Sequence, residues 1–115
     1  MMFGLSTGNQ NLGNNDFVGL ADVSNTETDV IVPLVMSGTF TAIACRIGGT
    51  APVQQTYTVR ISGINSGLAC TIPASSLVGS GTGFEPFTSS DFVSIQTPSA
   101  QVPGKPAVFM LRIQP

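Results

Sequence analysis

The chain has 115 residues, enough for one domain, with four Lys/Arg, six Asp/Glu, no histidine and no tryptophan, for a net charge of −2. Without histidine there is no His-dependent acid/base or triad catalysis and no ordinary zinc enzyme site, and four scattered cations cannot neutralise a phosphate backbone. Charged residues make up 9% against an average near ~25%; in their place stand 12 Ser, 12 Thr, 6 Asn and 6 Gln, which with 13 Gly and 8 Pro favour strands and turns over long helices.

Residues 1–16, MMFGLSTGNQNLGNND, are rich in Gly, Asn and Gln, with only Met1, Met2, Phe3, Leu5 and Leu12 to bury. They read as an extended N-terminal arm whose anchors Phe3, Leu5 and Leu12 pack on a neighbour, or else as a frayed terminus. The start lacks the positive region and apolar run of a signal peptide, and no apolar stretch is long enough to cross a bilayer. The expectation is a protein made in the cytoplasm, neither exported by the usual route nor membrane-spanning.

From Phe17 onward, short apolar runs alternate with turn signals at β-sandwich spacing, and the second domain element is residues 17–115. Strands are expected at 17–21, 28–36, 39–47, 56–62, 68–73, 91–97 and 107–114. In residues 56–62, Tyr57, Val59 and Ile61 alternate with Thr56, Thr58, Arg60 and Ser62, so this strand has one buried face. Residues 30–36 are apolar on both phases. In the last strand Phe109, Leu111 and Ile113 share one face, yet Val108 and Met110 stand on the other. A second apolar face on a small sandwich wants a cover, which is a neighbouring subunit or the 74–90 segment.

That segment, ASSLVGSGTGFEPFTSS, reads as a loop anchored by Leu77, Val78, Phe84 and Phe87 and mobile across its glycines; it lacks the Gly-Lys-Ser/Thr ending of a phosphate cradle. Residues 98–106, with three prolines and the only lysine, read as a rigid turn. Cys45 and Cys70 lie in core-facing rows and can meet across the sandwich. A disulfide would suit an extracellular domain, but without a signal peptide the expectation is a pair of buried free thiols. Asp22, Glu27 and Asp29 share one stretch that lacks the spacing of a calcium loop, so they read as a solvated loop and no metal is expected. Arg46, Arg60 and Arg112 fall mid-strand, opposite to the core row. Arg112 shares the phase of Val108 and Met110, which suits a subunit or partner interface as well as plain solvation.

The order of motifs carries a resemblance. Phe17-Val18-Gly19-Leu20, Val30-Ile31-Val32-Pro33, Ser37-Gly38-Thr39-Phe40, Tyr57-Thr58-Val59-Arg60-Ile61, Cys70-Thr71-Ile72 and Ser90-Asp91-Phe92-Val93-Ser94-Ile95 together resemble the small trimeric jelly-roll domains, similar to the tumour-necrosis-factor fold, found in phage virion proteins and bacterial collagen-like surface proteins. The resemblance spans residues 17–114. It implies an all-β jelly-roll sandwich without catalytic residues, cofactor or metal. No collagen repeat precedes the domain, and a lone small jelly roll looks most like a capsid decoration (cement) protein. Such a protein binds the major capsid protein lattice as a homotrimer on the virion surface, with no nucleic-acid or membrane partner. Phe3, Leu5, Leu12, Arg46, Val108, Met110 and Arg112 are its candidate subunit or capsid contacts. The alternative is a receptor- or glycan-binding tip of a tail fibre or surface appendage, its site formed by loops 48–55, 74–90 and 98–106.

Overall fold

The computed structural model describes residues 1–101 and 104–115. Among these residues ten antiparallel strands run β1 (Met2–Ser6), β2 (Phe17–Val18), β3 (Val23–Ser24), β4 (Val32–Pro33), β5 (Gly38–Ile47), β6 (Gln55–Ile61), β7 (Ile64–Ile72), β8 (Val78–Phe87), β9 (Phe92–Gln96) and β10 (Ala107–Gln114), with one 3-10 turn at Glu27–Asp29. Their hydrogen-bonded order is β1-β10-β5-β8-β7-β6-β9-β2-β3, with β4 also on β9. This is a jelly roll: β1-β10-β5-β8 form one layer, β7-β6-β9-β2 the other, and a single β7–β8 pairing, Thr71 with Ser80, joins them almost into a barrel.

Alternation explains the core. In β10, Ala107, Phe109, Leu111 and Ile113 point inward and their neighbours outward. They meet Tyr57, Val59, Leu68 and Ile95 of the facing layer, all with no exposed surface. Tyr57 and Phe109 lie with ring centres 5.3 Å apart, and Phe40 stacks on Phe87 at 4.3 Å. The β6–β7 hairpin turns on Ser62 and Gly63, both at positive φ (51° and 80°), so β6 stops at Ile61 and β7 starts four residues earlier than its apolar run suggests.

Several expectations are corrected. Residues 1–16 do not form a free arm: Met2–Ser6 pairs along its whole length with β10, Leu5 opposite Phe109. Leu5 and Leu12 are 1% and 4% exposed, and Phe3 packs on the same core, so the anchors bind their own domain. The expected strand 28–36 shrinks to Val32–Pro33. Val30, Val32 and Leu34 face inward, but Pro33 carries no donor to extend a ladder, and Val35 is 91% exposed. Strand 17–21 stops at Val18, because residues 19–22 reverse the chain to pair β2 with β3. Of the expected turn 98–106, Val102 and Pro103 lie outside the described residues.

The glycine-rich segment is also not a loop. Residues 78–87 are the ten-residue strand β8, Gly79 pairing with Cys45 and Gly81 with Ile43. Their inward positions are glycine because the backbone of β7 crosses there. A Cβ at Gly79 would collide with the Thr71 carbonyl, and one at Gly81 with the Ala69 carbonyl. This close approach also corrects the cysteines. With β7 drawn in under β8, Cys45 of β5 and Cys70 of β7 come to a Cα–Cα distance of 6.4 Å, within bridging range, and form a disulfide.

Candidate functional site

With β8 in the sheet, the 74–90 segment does not cover the last strand. The outward side chains of the β1-β10-β5-β8 layer form three rows across four strands, and the strand register fixes their neighbours. Ser6, Val108, Arg46 and Val78 make one row; Gly4, Met110, Ala44 and Ser80 the next; Met2, Arg112, Ala42 and Thr82 the third. Val108 is 53% exposed and Met110 42%. Twelve positions on four strands about 4.8 Å apart and five residues long cover on the order of 300 Å². Five of the twelve, Ser6, Arg46, Ser80, Arg112 and Thr82, are polar, so the apolar part is a smaller strip centred on Val108, Met110, Ala44 and Ala42.

Met110 has small row neighbours, Gly4 and Ala44, and its side chain lies over Gly4, with Cε and Sδ 3.7 Å from where a Cβ on that glycine would stand. Two depressions flank it. One, of about 400 Å³, is lined by Gly4, Ser6, Leu20, Val108, Ala44 and Arg46; the other, of about 240 Å³, by Met2, Ala42, Ser80, Thr82 and Arg112. Arg46 and Arg112 therefore sit on opposite sides of Met110. Neither forms an ion pair or side-chain hydrogen bond among the described residues, and no carboxylate occupies any of the twelve positions. A guanidinium without a carboxylate beside an apolar strip is a group whose donors are open to a partner.

The opposite layer is chemically different. Its outward residues are mostly polar and bonded to each other, as with the Thr56 and Thr71 hydroxyls at 3.4 Å. The Glu27 carboxylate descends onto it from the 3-10 turn. Arg60 donates to Glu27 through Nε (2.8 Å) and Nη2 (3.2 Å), and the Ser94 hydroxyl donates to the same carboxylate at 2.6 Å. Arg60 also donates to Asn65, Gln96 and the Gly63 carbonyl, and its guanidinium lies 5.4 Å from the Phe17 ring centre. Burial alone would raise the Glu27 pKa; the bonds from Arg60 and Ser94 and the charge of Arg60 outweigh it and hold the carboxyl below its ordinary value. Thus Arg60, which the sequence groups with Arg46 and Arg112, is engaged inside its own chain.

The structure sorts the sequence-derived candidates into two sets. Arg46, Val108, Met110 and Arg112 share the open face; Phe3 and Leu5 lie on the other side of the same layer and Leu12 in the segment after β1, all three against the core. Met2, Ala42, Ala44 and Val78 complete the face and escaped the sequence reading, because their membership depends on cross-strand register. Glu27 is taken by Arg60, and among the described residues no group of three metal-ligating side chains is brought together. Among the described residues no helix is long and apolar enough to cross a membrane. No protein-family model matches the chain, and no curated protein matches it in sequence.

Proposed function

We propose that this chain is a structural virion protein, a capsid decoration subunit that assembles as a homotrimer on the head surface and reinforces the major capsid protein lattice. The observation that carries the reading is the outer face of β1-β10-β5-β8: apolar around Met110, free of carboxylates and edged by two arginines without an ion pair among the described residues, whereas the other layer holds its arginine, Arg60, on Glu27. A face of this kind favours cover by another subunit over water. The low charge of the chain agrees with a subunit held by geometry and many copies. The resemblance to trimeric jelly-roll virion domains supplies the capsid as the setting, and the jelly-roll strand order is compatible with it.

Sedimentation velocity on the purified chain, followed by co-sedimentation with shells assembled from the major capsid protein of the same virion, tests this directly. A trimer that binds the shells saturably and raises their resistance to heating is the expected result. A chain that stays monomeric and remains in the supernatant would overturn it.

A further inference from the structure

Resting on the reading of the chain as a homo-oligomer, we infer how the copies meet: head to tail, with Met110 of one copy entering an apolar depression on the next, between that copy's Asp22 and Asp29. The face around Met110 offers two cations and no anion. A two-fold copy of the same face would leave both guanidinium pairs buried without partners, which is costly. The complement is on the same chain. A depression of about 250 Å³ between residues 19–22 and 29–33 is lined by Leu20, Val30, Ile31 and Pro33, and carries Asp22 and Asp29.

Both carboxylates are exposed and have no cation within ion-pair distance among the described residues. Asp22 accepts only the Val23 amide (2.8 Å), and Asp29 only the Ser24 hydroxyl (3.1 Å), so each keeps lone pairs for an arginine. The neighbouring Glu27 is already taken by Arg60, so it does not compete. An exposed methionine flanked by two arginines thus matches an apolar recess that carries two aspartates. Leu20 lines both this recess and the larger groove beside Met110, so the two patches adjoin on one copy. A heterologous contact of this kind closes into a ring when the rotation from one copy to the next allows it.

Charge exchange tests the pairing. Arg46→Asp with Arg112→Asp, and separately Asp22→Arg with Asp29→Arg, should each weaken association by about a hundredfold or more in sedimentation equilibrium, because like charges then face each other. Combining all four substitutions in one chain should restore the closed oligomer. Circular dichroism checks that each variant is folded, and association of the unmodified chain should weaken with added salt, which needs no variant. A monomeric unmodified chain would refute the homo-oligomer reading itself. An oligomer indifferent to salt, or untouched by either pair of substitutions, or not restored by the combination, would refute the head-to-tail pairing alone.

Discussion

The Cys45–Cys70 bridge closes a loop across a sequence separation of 25 residues and ties β5 to β7 where the two layers meet. Removing it frees the unfolded chain to explore conformations it is now denied. In the chain-entropy model a loop of this length corresponds to about 12 cal/mol/K, or about 3.5 kcal/mol at 25 °C. For a domain near this size 1 kcal/mol shifts the midpoint by roughly 4 °C, so Cys45→Ala with Cys70→Ala should melt about 14 °C lower. The assay is thermal unfolding by circular dichroism, run on the oxidised chain, on the chain in reductant and on the double variant. The last two should agree, since both cysteines are buried and neither has another partner to lose. Iodoacetamide applied to the denatured, unreduced chain should leave both cysteines unlabelled. If the chain labels fully without reduction, or if the three melting curves coincide, the bridge does not restrain this fold.

Two further perturbations probe the joints that create the site. Gly81→Ala should cost more than ~3 kcal/mol or abolish folding, since its Cβ has to displace the β7 backbone at Ala69; Gly4→Ala on the outer face, where the nearest atoms are the Met110 Cε and Sδ at 3.7 Å, should change stability by less than about 1 kcal/mol in urea unfolding. Equal effects would contradict the account of β8. Glu27→Gln should destabilise by about 2 kcal/mol at neutral pH by weakening the charge-assisted bonds to Arg60. Because the folded carboxyl titrates below its ordinary 4.5, its contribution is complete above that value and fades as pH falls through the folded pKa. The gap between wild type and Glu27→Gln should therefore close on acidification below pH 4.5, and a gap that widens there would reverse the sign argued for this group.

What the sequence disclosed follows from how local each signal is. The strands at 55–61 and 107–114 were legible because polar and apolar residues alternate in them, and the outward phase of Val108, Met110 and Arg112 followed from the same count. Strand β8 was hidden because what fills the space beside Gly79 and Gly81 is the backbone of β7, which no reading of residues 78–87 discloses. Strand β1 looked like an arm because its burial comes from pairing with β10, about a hundred residues away. The cysteine phases were readable, but their bridging depended on that same unseen approach of β7. Likewise Met110 was visible as an outward apolar residue, whereas its place between Gly4 and Ala44 required the register of three strands.

The central claim is that the face around Met110 is covered by another subunit, and sedimentation equilibrium of Met110→Glu against wild type tests it most directly. Met110 points away from its own core and is 42% exposed, so the substitution leaves the fold of one chain intact. In a contact it buries a carboxylate in an apolar recess at a cost of several kcal/mol, on the order of a hundredfold or more in association. A folded Met110→Glu monomer beside an oligomeric wild type is the predicted result, and an oligomer of the same mass and affinity for both would place the subunit contact elsewhere.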